Sequence, residues 1–272
     1  MNKEIMGNFT QKYNYTITPE KLKVVTLSQR PDLRDKAQYL IELTHPKFMR
    51  NYTVNNPLWV SLLEQFSDFQ FVICSFDDDL LSVINTIPLQ FDQSNICMEK
   101  GWDGALMTGI SKKDTKSSNS LCALSISIGP ASQGHGLGRT AVRLSRAIAR
   151  DKGFDRLVLP LRPILKSKYP LIAFEKYISW KEADGSPFDP WLRVHTKLDG
   201  LPLGIADDSI TIHGSIQDWE MWTGMRFPET GSYIIPEAMI PIRVDREQNA
   251  GIYIEPNLWV QHIVSIQDKF NF

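Results

Sequence analysis

Leu121-Cys122-Ala123-Leu124-Ser125-Ile126-Ser127-Ile128 is an apolar run that ends in Gly129-Pro130-Ala131-Ser132. Gln133-Gly134-His135-Gly136-Leu137-Gly138-Arg139 follows, and then a helix-like stretch to Lys152. A second short apolar run, Leu157-Val158-Leu159, closes the unit. The order reads as strand, glycine-rich turn, helix, strand. Glycines at alternate positions let backbone N–H groups face a ligand, and the helix N-terminus that follows favours negative charge. Such a turn is a cradle for a pyrophosphate.

Counting separates the candidates. A mononucleotide loop needs Gly, four residues, then Gly-Lys-Ser/Thr. Gly138-Arg139-Thr140 imitates its end, but Gln133 stands where the first glycine belongs and Arg139 replaces the lysine. A dinucleotide fingerprint needs Gly-x-Gly-x-x-Gly and an acid at the end of the next strand. Gly134, Gly136 and Gly138 are one residue short of that spacing, and Leu159-Pro160-Leu161-Arg162 carries no acid.

Gln133-x-x-Gly136-x-Gly138 resembles the Gln/Arg-x-x-Gly-x-Gly/Ala signature of the GNAT (GCN5-related N-acetyltransferase) superfamily. The resemblance implies an α/β fold with a splayed, mixed central sheet flanked by helices. It implies coenzyme A as the carrier of the acyl group, a donor substrate and not a tightly bound cofactor. Ile126, Ser127 and Ile128 would then flank the pantetheine, and Gln133, Gly134, His135, Gly136, Leu137, Gly138, Arg139 and Thr140 would hold the phosphates. A tight turn packing a helix onto a strand is the structural alternative for the same glycines.

The chain has 272 residues, with 42% hydrophobic and 22% charged residues, as in globular proteins. A net charge of −1 gives no global field toward nucleic acid or membrane. No apolar run approaches the roughly 20 residues of a membrane helix, and Met1 to Asn8 lacks the apolar core of a signal peptide. A cytoplasmic protein is the expectation. Cys74, Cys97 and Cys122 show no Cys-x-x-Cys spacing, and the five histidines show no His-x-x-x-His, so no disulfide framework or metal site is expected.

Residues 1–21 read as an N-terminal arm, and 22–272 as one domain with an elaboration from about residue 200. Leu22 to Leu27 reads as a strand, a helical stripe follows Pro31, and a second helix begins at Pro57. Phe69–Phe76 and Leu80–Ile87, split by Asp77-Asp78-Asp79, read as a hairpin. Gly101 to Leu106 reads as a turn with an anchoring tryptophan, a lip over an acyl site being the alternative, and Ser111 to Ser120 as an exposed loop. A helix is expected to end near Trp180, and a strand to begin at Trp191 and reach His195.

His195 is the expected acid/base, because an imidazole exchanges protons near neutral pH. His135 lies in the loop, where phosphate contact suits it better than chemistry. His45 reads as a helix-end residue, His213 as a strand residue that could face a cavity, and His262 as structural.

Arg162-Pro163, Tyr169-Pro170-Leu171 and Asp189-Pro190-Trp191-Leu192-Arg193-Val194-His195 resemble a narrower group, the long GNAT-like proteins of natural-product assembly lines, including polyketide loading domains. In that group the histidine is catalytic, and a strand threonine accompanies decarboxylation. Here that position falls near Leu161, which has no hydroxyl, so transfer is expected over decarboxylation. The expected function is transfer of a short acyl group from acyl-CoA to a small amine or an acyl carrier protein thiol. A carrier-protein thioester or aminoacyl-tRNA as donor, and a non-catalytic CoA-binding scaffold, are the alternatives. Arg139, Arg143, Arg146 and Arg150 share one helix face, a solvated face or a surface for an acidic carrier.

Overall fold

The computed structural model describes residues 22–92, 96–112 and 117–265. The expected N-terminal arm and part of the polar loop before Ser120 fall outside the described residues. One mixed sheet runs through the molecule. Its strands are β1 (Leu22–Thr26), β2 (Gln70–Ser75), β3 (Leu80–Leu89), β4 (Ser120–Ile128), β5 (Arg156–Leu161), β6 (Leu201–Gly214), β7 (Gly231–Tyr233), β8 (Ile242–Asp245) and β9 (Ala250–Ile263). They lie in the order β1-β2-β3-β4-β5-β9-β8-β7, with β6 along the other edge of β9. Among the described residues only β4 and β5 pair in parallel.

The β2–β3 hairpin forms where the two apolar runs predict it. Ser75 Oγ accepts the amides of Asp77 and Asp79, and Asp78 takes a left-handed φ of 64°, which aspartate tolerates. Both strands are buried throughout. Their buried amides pair across the hairpin: Asn85 Nδ2 donates to Gln70 Oε1, and Gln70 Nε2 donates to the carbonyls of Phe66 and Thr86, while Asn85 Oδ1 has no hydrogen-bond partner among the described residues.

Helices cover both faces. On one side lie α1 (Arg34–Thr44), α2 (Lys47–Val54), α3 (Pro57–Gln65), α4 (Ile96–Ser111) and, late in the chain, α8 (Ile216–Thr223). On the other lie α5 (Leu137–Asp151), α6 (Phe174–Ile178) and α7 (Pro190–Thr196). Ala37, Leu40 and Ile41 turn the apolar stripe of α1 inward, and Asn56 caps α3 by accepting the Leu58 amide, with Pro57 at its first position.

Four expectations change. A third helix, α2, separates the two read from the sequence; it begins directly after Pro46, where the periodicity breaks. Gly101 to Leu106 is helix, inside α4, with a kink at Gly101 (φ 49°, ψ −117°). The backbone bends there because the Trp102 amide donates to Ser209 Oγ at 2.8 Å, so close that a Cβ on Gly101 would sit on Ser209. The helix expected to end near Trp180 shrinks to the five residues of α6, and Leu171, counted on its apolar face, is 74% exposed. Trp191 to His195 is helix, not strand: Asp189 Oδ1 accepts the amides of Trp191 and Leu192, and Pro190 presets the first turn. A strand-forming composition (Trp, Leu, Val) yields to this cap.

The late aromatics are core. Trp219, Phe227 and Tyr253 are fully buried, while His213 is exposed on β6. Cys74 and Cys122 are buried thiols, and burial pushes Cys74 up to about 11. Among the described residues no helix is long and apolar enough to cross a membrane, and no cluster of His, Cys, Asp or Glu could hold a metal.

Candidate active site

The β4–β5 ladder stops early. Ser120, Leu121 and Cys122 pair with Arg156, Leu157 and Val158, and no pair continues beyond them. β5 then follows β9 as far as Leu161↔Leu258, while β4 follows β3 as far as Ile128↔Ser82. The two central strands therefore part from Ala123 onward, which leaves backbone on their facing edges without a strand partner. A register shift at Asn85/Thr86 leaves Leu124 as the bulged residue of β4, and its carbonyl accepts Trp102 Nε1 at 2.8 Å.

The glycine turn stands at the end of the diverging β4. Gln133 Nε2 donates to the Ile128 carbonyl at 3.1 Å and ties the turn to the strand. Gly134 and Gly136 take φ of 83° and 78°, and a Cβ on either would meet nothing within 4 Å, so the glycines serve the backbone conformation alone. Gly136 is the N-cap of α5, and the Thr140 amide donates to its carbonyl. The amides of Leu137, Gly138 and Arg139 lie in the first turn, where no intrahelical acceptor exists. Leu137 is 1% exposed and anchors the turn, whereas Gln133, His135 and Arg139 are exposed. Ile126 and Ile128 are half-buried on the α5 side, and Ser127 is turned inward with its carbonyl accepting Ser82 Oγ.

Helix α7 closes on this turn. A Cβ at Gly138 would stand 3.1 Å from Trp191 Cζ3 and 3.4 Å from Ile128 Cδ1, so a glycine is needed for the close approach. His195 lies one helical turn on, its ring edge-to-face with Trp191 at 4.6 Å between centroids. It is 2% exposed. Nδ1 meets His262 Nε2 at 2.8 Å, and Nε2 has no hydrogen-bond partner among the described residues. Burial, and next the neighbouring His262, hold the His195 imidazole well below its ordinary pKa, so it is neutral at pH 7.

The opposite face carries a polar cluster absent from the sequence reading. Arg162, directly after β5, donates to Glu255 Oε1 at 2.9 Å and to the Glu237 carbonyl at 3.1 Å. Glu255, fully buried on β9, also accepts the Tyr253 hydroxyl. Burial would lower the basicity of Arg162, but Glu255 and Tyr253 more than offset it. Asp103 on α4 accepts the Tyr52 hydroxyl at 2.6 Å and the Thr211 amide at 2.9 Å, and burial pushes its carboxyl up to about 6. His45, between α1 and α2, donates from Nδ1 to the Ile41 carbonyl at 2.8 Å, and burial lowers its pKa. The pairings of Glu255 with Arg162 and of Asp103 with Tyr52 are not legible in the sequence, because the partners come from segments more than 50 residues away. The one available signal was an acid inside an apolar strand at Glu255.

A parted pair of parallel central strands, with a glycine turn and helix N-terminus at the mouth, is the arrangement that the resemblance to GNAT proteins implies for holding a pantetheine-bearing acyl donor. No family model matches the sequence. The arginine N-acetyltransferase avaD of Aspergillus versicolor is 29% identical over 275 residues, 90% of this chain and 94% of that protein. In three dimensions the loading GNATL domain of CurA from Lyngbya majuscula superposes with a TM-score of 0.57 at 15% identity, over 89% of this chain and 96% of that one. The GphF GNAT-like decarboxylase in complex with isobutyryl-CoA gives a TM-score of 0.55 at 15% identity, over 90% and 99%. The chain has the fold of these GNAT-like proteins and is similar in sequence to an N-acetyltransferase.

Proposed function

We propose that this protein moves an acetyl or other short acyl group from acyl-CoA to an amine, with a basic amino acid as the acceptor class. The parted β4–β5 pair with the glycine turn at its mouth carries the reading of the donor. Support for the acceptor comes from the full-length likeness to an arginine N-acetyltransferase. In the proposed arrangement the Gln133–Thr140 turn holds the pyrophosphate by its amides, and Ile126, Ser127 and Ile128 flank the pantetheine. The amine nitrogen attacks the thioester carbonyl carbon, the C–S bond breaks, and CoA departs as the thiolate while the amine gives up one proton. His195 accepts that proton at Nε2, the nitrogen left without a partner among the described residues, and passes it to the thiolate, so that CoA is released as the thiol. Leu161, near which the resemblance to assembly-line proteins places a threonine, is buried and has no hydroxyl, which supports transfer without decarboxylation.

The test is thiol release from acetyl-CoA in the presence of L-arginine, related amines and a phosphopantetheinylated carrier protein, with mass spectrometry of the product. Acylated arginine or a related amine is expected. Acyl transfer to the carrier alone would replace the amine with a carrier-protein thiol, the reading that exposed Arg139 and Arg143 on α5 favour. No CoA release with any acceptor would overturn the enzyme reading, and unchanged turnover in His195→Ala would remove His195 from the mechanism.

A further inference from the structure

We propose that His262 is a positioning residue that fixes the tautomer of His195 and thereby keeps its Nε2 lone pair open. The inference rests on the reading of His195 as the proton acceptor. It follows from which atoms can donate. The Leu198 carbonyl oxygen can only accept, and it lies 3.1 Å from His262 Nδ1, so that nitrogen carries the proton. A neutral imidazole has one ring proton, so His262 Nε2 is bare and accepts. The 2.8 Å contact to His195 Nδ1 then requires the proton on His195 Nδ1. His195 Nε2 is left unprotonated, buried and without a partner among the described residues. The direction of the chain is set at its far end by one backbone carbonyl.

The fold builds this relay from three segments. His262 stands on β9 opposite Leu157 of β5, and is 1% exposed. His195 comes from the last turn of α7. The Leu198–Gly200 turn wraps back onto it, with the amides of Leu198 and Gly200 donating to the His195 carbonyl at 3.0 and 2.9 Å. A Cβ on Gly200 would lie 2.8 Å from both the His195 carbonyl oxygen and His262 Cε1, so the turn passes this close to the imidazole pair. Arg146 of α5 donates to the same Leu198 carbonyl at 3.2 Å and helps hold it in place. A mere core filler would need neither the hydrogen-bonded pair nor a carbonyl turned toward it, and a leucine would suit this apolar environment better.

The experiment combines a direct readout of the tautomer with kinetics. Long-range proton–nitrogen spectra of 15N-histidine protein at pH 7.5 distinguish the two neutral forms of each ring, with His195→Ala supplying the assignment. Wild type is expected to show His195 protonated at Nδ1 and bare at Nε2. His262→Gln offers a carbonyl oxygen to the same proton, so the tautomer and most of the turnover are retained. His262→Leu removes the acceptor. The spectrum then loses the Nδ1–H form, and kcat falls roughly tenfold, the scale of one hydrogen bond, with KM for acetyl-CoA unchanged. A wild-type His195 protonated at Nε2 overturns the inference, even if His262→Leu fails to fold. Equal losses in His262→Gln and His262→Leu, with His195 keeping its tautomer, also overturn it and make the role structural. Full turnover in His195→Ala strikes the catalytic reading instead, and the spectra still decide whether His262 sets the tautomer.

Discussion

Arg162→Met removes the charge that faces Glu255 and keeps most of the apolar stem. Glu255 is fully buried, and its partners in the wild type are Arg162, Tyr253 and Asn257. Breaking a buried ion pair by deleting one partner costs about 3–5 kcal/mol, because the remaining charge is left uncompensated. Two features place this pair at the lower end. The Arg162 side chain is 25% exposed, so water already shares its charge, and the Tyr253 hydroxyl still donates to the carboxylate after the substitution. A loss of about 3 kcal/mol is expected. With an unfolding entropy of about 2.1 cal/mol/K per residue, a chain of 272 residues has roughly 0.57 kcal/mol/K, so Tm should fall by about 5 °C. Urea denaturation at pH 7.5 with a fitted slope measures the loss, and thermal melting checks it. Adding Glu255→Gln to Arg162→Met should return at least half of the stability, because the uncompensated charge disappears. A loss below about 1 kcal/mol, or no recovery in the double variant, would refute the idea that Glu255 depends on Arg162 for compensation.

Three further outcomes follow from the geometry. Gly138→Val forces a branched side chain against Trp191 and Ile128; overpacking of about 1–3 kcal/mol should raise KM for acetyl-CoA roughly tenfold, whereas Gly134→Ala, which meets nothing, should cost only backbone strain of about 1 kcal/mol in stability. Burial depresses the His195 and His45 pKa values below 6.5, so the unfolded chain binds more protons there; stability should fall as pH drops through 6.5, and the acid limb of kcat/KM should lie below 6.5, with a limb above 7 counting against His195 as the base. Lys166 is buried, donates to the carbonyls of Tyr169 and Met239, and is lowered by burial to about 8 from 10.5. The unfolded chain therefore binds more protons between those values, and wild type should gain stability from pH 8 toward pH 10 relative to Lys166→Met, a difference read from paired urea midpoints.

The local chemistry around the glycine turn was legible in one dimension. An apolar run, glycines at alternate positions and an amphipathic stretch each act over a few residues, and the strand, the left-handed N-cap and α5 form where those rules place them. The Asp77–Asp79 turn was legible for the same reason. Local signals misled where two of them competed. Trp191 to His195 has the composition of a strand, yet Asp189 and Pro190 start a helix, and that reverses which residues share a face with His195.

Sequence alone determined that a glycine turn follows a core strand and opens a helix, and that this turn is neither of the common nucleotide loops. Tertiary structure decided everything that depends on distant segments meeting. After Cys122 each central strand stays with its outer neighbour, β4 with β3 and β5 with β9, and β9 comes about 100 residues after β5. His262 read as a structural residue until β9 brought it to 2.8 Å from His195. The physical reason is common to both: a hydrogen bond or a strand pairing requires proximity, and proximity between segments 67 residues apart is written in the packing of the whole sheet, not in the spacing of either histidine.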